Sequence, residues 1–247
     1  MKYLIIALFI LTACKQKDSN LTAKEIIDKT IEKAGGENYD HSNIEFTFRN
    51  IKYTSTRNNG IFEFTRSFSD SLGNVKDVLD NSGFTRFFNG EKQKLPDTTA
   101  TKYSNSLNSV HYFIQLPYGL NDKAVQKELV DTTEINGKKY YAIKVSFAQE
   151  NGGSDHDDVY MYWINKKDFT VDYFAYKYYS GEGGIRFREA YNPREIGGIR
   201  FADYKNYKAE PWENVELKDL SNMFENNQLE LLSDIKNEAI SVKRSND

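Results

Sequence analysis

The chain has 247 residues, with 33 Lys and Arg against 36 Asp and Glu, and a formal net charge of −3. No basic patch follows a phosphate backbone, which excludes nucleic acid as a partner, and 17 Tyr, 16 Phe and 2 Trp exclude a disordered chain and favour strands around a sizeable core. The length suits one large β-rich domain or two small ones; with no internal repeat and no second composition class, one is the economical choice.

The amino terminus carries the most specific signal. Lys2 supplies a positive start, residues 3–11 an apolar core, and Thr12-Ala13 small residues before Cys14. That is the anatomy of a secretory signal peptide, and the apolar run is too short to span a bilayer as a stable helix. Leu11-Thr12-Ala13-Cys14 resembles the bacterial lipobox. The resemblance implies cleavage before Cys14, a thioether-linked lipid on its sulfur and a palmitate-type acyl group on the new amino terminus. Cys14 is the only cysteine, so an internal disulfide is impossible and lipid attachment explains the residue better than redox chemistry. Several acyl chains make such an anchor stable. Lys15 stands where an Asp would resemble an inner-membrane retention signal, which points to the outer membrane, with periplasmic and surface-facing orientations both open. The expected organisation is a leader over 1–13, a polar tether over 14–20, one domain over 21–242 and a polar tail over 243–247.

Residues 21–34 read as an amphipathic helix, with Ile26, Ile27, Ile31 and Ala34 at helical spacing and Gly35-Gly36 as its stop. Four strand-like stretches follow at 44–53, 61–68, 75–79 and 84–88, separated by turn residues. The polar segment 95–106 precedes a helix expected to start near Asn105 or Ser106. That helix carries Leu107, Val110, Phe113 and Ile114 and ends at Pro117. Residues 130–147 form a hairpin around Asn136-Gly137, the strongest short-range turn signal.

A meander then runs through 159–164, 169–179, 185–195 and 199–207, broken at 165–168, 180–184 and Gly197-Gly198. A four-residue loop at 165–168 pairs Ile164 with Phe169, Tyr162 with Val171 and Tyr160 with Tyr173. Val159, Met161, Trp163, Phe174 and Tyr176 then share the opposite face. Both faces are largely apolar, which fits either a sheet covered on both sides or a curved sheet lining a ligand cavity. A short helix at 217–224 and a last strand over 229–235 complete the chain.

Chemistry is sparse. Asp155-His156-Asp157-Asp158 is the one clustered set of metal-capable side chains. Adjacent residues on a strand point apart and the spacing fails the calcium-loop pattern, so it reads as a solvated acidic turn, with a metal or active-site role as the alternative. Gly152-Gly153-Ser154 makes no nucleophile elbow, and the glycines at 181–184 sit between strands and cradle no phosphate. His41 and His111 have no partner at a recognisable spacing; His111 reads as a surface or boundary residue. Arg186, Arg188 and Arg194 alternate along one strand. A turn at Gly197-Gly198 sets Arg188 opposite Tyr207 and Glu195 opposite Arg200, which reads as a solvated face, with anion capture as the alternative. No catalytic residue and no cofactor is assigned.

The lipobox at Cys14, Asp155-His-Asp-Asp-Val-Tyr-Met-Tyr-Trp-Ile164, Val171-Asp172-Tyr173, Gly184-Ile-Arg-Phe-Arg188 and Gly198-Ile-Arg-Phe201 together resemble a family of Gram-negative lipoproteins. In architecture that family is similar to the outer-membrane lipoprotein carrier and its receptor. The resemblance covers roughly residues 21–242 and implies a mainly β (α+β) fold: a curved, incomplete antiparallel barrel of about ten strands, its open side closed by helices. Its architectural relatives bind acyl chains on the apolar concave face, and no site carries over residue by residue. The reading is a monomeric, membrane-anchored envelope lipoprotein holding a lipid or lipoprotein acyl chain. Its pocket is expected to be lined by Met161, Trp163 and Phe174, with Phe113 at the mouth. A metal-dependent or hydrolytic envelope enzyme using the 155–158 loop is one alternative; a ligand-free structural or interaction module is another.

Overall fold

The computed structural model describes residues 21–148, 150 and 157–244. In chain order these form α1 (Ala23–Ala34), β1 (Ser42–Phe48), β2 (Ile51–Asn58), β3 (Ile61–Ser69), β4 (Asn74–Asp80), β5 (Gly83–Phe88), β6 (Glu91–Lys92) and α2 (Asp97–Ile114). There follow β7 (Val125–Ile135), β8 (Lys138–Phe147), β9 (Val159–Asn165), β10 (Val171–Tyr178), β11 (Gly184–Ile196), β12 (Ile199–Lys208), α3 (Leu220–Glu225), β13 (Glu230–Ile235) and β14 (Glu238–Arg244). The strands make two antiparallel sheets of seven, ordered β14-β1-β2-β3-β4-β5-β6 and β13-β12-β11-β10-β9-β8-β7. The sheets stay open, giving the expected curved, incomplete barrel with helical cover.

Fourteen strands replace the expected ten or so, for local reasons. Residues 44–53 form two strands, because Arg49 (φ 51°) and Asn50 (φ 62°) both adopt left-handed backbone and close a two-residue hairpin. Residues 238–244, outside the expected strands and with the last two in the expected tail, pair with β1 (Ile44 opposite Val242) as the edge strand of the first sheet. Polarity is what an edge strand needs to avoid pairing with other chains.

α1 starts where its sequence says. Thr22 Oγ1 accepts from the Glu25 N–H (3.2 Å) and the Glu25 carboxylate accepts from the Thr22 N–H (2.8 Å), a reciprocal cap. Gly35 ends it at φ 137°, and a Cβ there would lie 2.9 Å from the Gly198 carbonyl oxygen, so the helix end can approach β12 only with glycine. α2 begins at Asp97, more than two turns before the expected start. Its first half lacks an apolar stripe because polar contacts hold it to the first sheet. Tyr103 lies 3.6 Å beneath the Arg86 guanidinium, and Ser106 accepts from Arg66 (2.9 Å). Both arginines converge on fully buried Asp77 (2.7 and 2.6 Å), which satisfies three charges at once.

The β9–β10 register differs from the expected one. Val171 lies opposite Ile164, but Tyr173 faces Trp163, Phe174 faces Tyr162 and Tyr176 faces Tyr160, with a shift between Val171 and Tyr173. Asp172 sits in this bulge, its carboxylate accepting from Thr170 (2.6 Å), Asn165 (3.0 Å) and Tyr140 (3.1 Å). One extra residue swings the rest of β10 to the other side of the sheet. Tyr160, Tyr162, Phe174 and Tyr176 therefore share the inner face with Ile26 and Ile27 of α1 and Tyr112 and Phe113 of α2. Met161, Trp163, Tyr173 and Ala175 pack on the outer face against Phe187 and, from α3, Leu220 and Phe224. The two apolar faces thus arise from helical cover on both sides.

Candidate functional site

α2 bridges the two sheets. Leu107 and Ile114 join Phe46, Tyr53 and Phe64 of the first sheet. Tyr112 reaches the second, its hydroxyl 2.7 Å from that of Tyr162. Phe113 stacks on Phe174 (centroids 5.6 Å apart, 20° between planes) and tilts against Tyr176 at 5.3 Å. Beside this contact lies a cavity of about 250 Å³. Its walls come from α2 (Val110, Phe113), the second sheet (Tyr176, Arg188, Tyr204) and the first sheet (Phe48). It therefore occupies the seam between the sheets, under the last turns of the helix.

Arg188 is the unusual member of this wall. It is 8% exposed, its guanidinium carbon 4.2 Å from the Phe113 centroid, 5.3 Å from Tyr176 and 5.4 Å from Phe174. Stacking on three rings offsets part of the loss of hydration. Nη2 donates to the Tyr176 hydroxyl (2.9 Å), whereas Nε is buried with no partner. Asn206 Oδ1 is likewise buried and unpartnered. The expected pairing of Arg188 with Tyr207 is off by one: Arg188 faces Asn206 and Phe187 faces Tyr207, because a bulge between Tyr191 and Arg194 shifts the register. Glu195 does face Arg200. The reading of a solvated arginine face fails at Arg188, which is buried among aromatic rings.

Of the residues expected to line a pocket, Phe113 lines this cavity and Phe174 stacks on Phe113 from outside the lining. Met161 and Trp163 do neither; Trp163 packs on Phe187 (5.4 Å) across the sheet, on the far side from α2. Cys14, Asp155 and His156 lie outside the described residues. Asp157 is exposed and Asp158 half-buried. Among the described residues no group of three or more His, Cys, Asp or Glu side chains is placed to hold a metal ion, and no helix is long and apolar enough to cross a membrane. His111, expected at a boundary, is fully buried and stacked on Phe64 at 4.4 Å, edge-on to Phe46 and Tyr53. Periodicity along one strand cannot reveal Arg188. The signal lies in its aromatic neighbours on β10, and only the register across β10 and β11 makes it visible.

A family model described as a family of unknown function, DUF6503, matches residues 2–237. No curated protein matches the sequence. Among solved structures, the fold is similar to that of a LolA superfamily protein from Nitrosomonas europaea (TM-score 0.50, 12% identity, 92% of this chain and 94% of that one covered). Weaker likenesses are to a DUF1329 family protein from Desulfovibrio piger (0.44, 9%, 89% and 92%) and to an outer membrane lipoprotein-sorting protein domain from Vibrio parahaemolyticus (0.40, 8%, 81% and 96%). The first likeness agrees with the architectural resemblance read from the sequence.

Proposed function

The chain belongs to the DUF6503 family, and on that premise we propose that it is a membrane-anchored envelope protein that holds the acyl part of a hydrophobic ligand beneath α2. The carrying observation is the cavity at the seam of the two sheets beneath a helix, with an apolar wall of Phe48, Val110, Phe113 and Tyr204 facing a polar one of Arg188, Asn206 and Asn237. An engineered apolar cavity of about 150 Å³ takes up benzene; by proportion the 250 Å³ here accommodates roughly ten heavy atoms. Each buried methylene contributes roughly 0.8 kcal/mol, enough for a medium-length chain to bind measurably. Anchoring through Cys14, with Lys15 after it, favours a receptor or sensor fixed at the outer membrane over a diffusing shuttle.

Native mass spectrometry of the full-length protein purified from its own host tests the reading. The expected result is a releasable adduct with an aliphatic chain. A protein free of adduct that also fails to take up added fatty acids or lysolipids is a packed scaffold, and the reading is lost. The anchor has a separate test. Cys14→Ser should abolish labelling by radioactive palmitate and leave an uncleaved or misrouted chain, and unchanged labelling and fractionation would refute it.

A further inference from the structure

We infer that the cavity beneath α2 recognises its ligand through a single oxyanion, a carboxylate or phosphate head on an aliphatic chain, bound by the guanidinium of Arg188. The inference rests on the acyl-site reading above and adds the head group to it.

A guanidinium has five N–H donors in a planar fork and stays ionised at every physiological pH. Among the described residues Arg66, the one other arginine as buried, has a carboxylate, as do the less buried Arg86 and Arg194, whereas half-buried Arg57 has Gln115 and two rings. Asp77 meets Arg66 and Arg86, and Asp203 meets Arg194 at 3.0 Å. Arg188 instead has three aromatic rings and one hydroxyl. Rings stabilise the charge but take up no N–H in the guanidinium plane. The Nε–H is left bare in the interior, an arrangement that normally destabilises a fold.

The cavity has room for an acceptor to the guanidinium charge. Arg188 lines it, Arg49 adds a second cation to its wall, and no Asp or Glu is among its lining residues. The carboxylates nearest in the strand ladder are committed. Asp203 accepts from Arg194, Asn192 and the Asn237 N–H, and Glu189 accepts from the Tyr207 hydroxyl. A neutral ligand would therefore leave the buried Arg188 charge without a counter-ion, whereas Arg49 is exposed to solvent. A compact oxyanion meets the guanidinium in the charge-assisted geometry that arginine favours, while Phe48, Val110 and Phe113 remain for the hydrocarbon.

The test is calorimetric titration of the full-length protein at pH 7.5 with octanoate, octanol and acetate, repeated with Arg188→Gln and Arg188→Lys. Octanoate has about the ten heavy atoms that the cavity admits. The expected result is octanoate binding about tenfold or more tighter than octanol, with acetate too weak to saturate. Arg188→Gln should bring octanoate and octanol within about twofold of each other while leaving octanol affinity near the parent's, and Arg188→Lys should keep part of the preference. Equal affinities for acid and alcohol in the parent would overturn the head-group assignment and leave the acyl-site reading standing. Acetate binding as tightly as octanoate would overturn it in favour of a free-anion site. Binding of neither octanoate nor octanol would overturn both. The acid-to-alcohol comparison needs only the parent protein, so misfolding of a variant does not remove the test.

Discussion

His111 shows how one buried side chain couples this fold to pH. Its Nε2 faces the Thr65 carbonyl at 3.2 Å, so that nitrogen carries the proton and donates, while Nδ1 is buried with no partner. Burial among aromatic rings pushes the imidazole pKa down to about 3, with the Arg57 charge acting in the same direction and the Thr65 bond opposing. In the unfolded chain the same ring takes up its proton near the usual 6.5. Between those values the unfolded state binds more protons than the folded one, so stability falls as pH drops from about 6.5 toward 3. At pH 5 the loss attributable to His111 is roughly 2 kcal/mol. Urea denaturation at pH 7 and pH 5 should show the parent losing about that much more than His111→Phe, which fills the same space without titrating. Equal losses in the two proteins would assign the acid sensitivity to other groups.

In the β7–β8 hairpin the turn sequence sets the register from Ile135 back to Asp131, beyond which a bulge between Leu129 and Asp131 shifts it by one. Asn136 (φ 50°) and Gly137 (φ 73°) both lie in the left-handed region, and Ile135 faces Lys138 across them. A side chain on Gly137 would meet nothing within 4 Å, so substitution there strains only the backbone. Gly137→Val should destabilise the protein by about 1–3 kcal/mol, and a melting curve identical to the parent's would show the turn to be uncritical. Elements with such local signals are legible in the sequence: α1 with its apolar spacing and Gly35 stop, the hairpin turn, and the strands of the meander. Those held by distant partners are not. The bulge at Asp172 depends on Tyr140 from β8, and the one between Tyr191 and Arg194 adjoins the Asp203–Asn237 contacts. The same bulges decide the site. They bring Phe174 to Phe113, send Met161 and Trp163 to the opposite face, and align Arg188 with Asn206. The first half of α2 has no local signal for a related reason, since its sheet contacts run through Tyr103 and Ser106 instead of an apolar stripe.

Across the whole molecule, α2 is fastened unequally to the two sheets. Its first half meets the first sheet through Tyr103, stacked on Arg86, and Ser106, which accepts from Arg66, while the ion pairs of both arginines with Asp77 lie within the sheet. Its last turns meet the second sheet through ring stacking at Phe113 and a hydroxyl pair at Tyr112. Aromatic contacts of this kind contribute about 0.5–1.5 kcal/mol each beyond area burial. Because Leu107, His111 and Ile114 of the same turns are buried against the first sheet, it is the seam between α2 and the second sheet that can yield. The 250 Å³ beneath it limits a chain that binds without moving the helix to roughly ten heavy atoms. Straight-chain carboxylates should therefore gain roughly fourfold in affinity per methylene up to octanoate, and less per methylene beyond it, where lifting α2 offsets part of each increment. Hydrogen exchange should report the same boundary. Amides of residues 107–114 should exchange no faster with octanoate than without ligand, and faster with hexadecanoate, while residues 97–106 stay protected in both cases. A constant increment from octanoate to hexadecanoate with exchange unchanged would mean that long chains leave the cavity by another route, and that α2 is a fixed wall and not a movable cover.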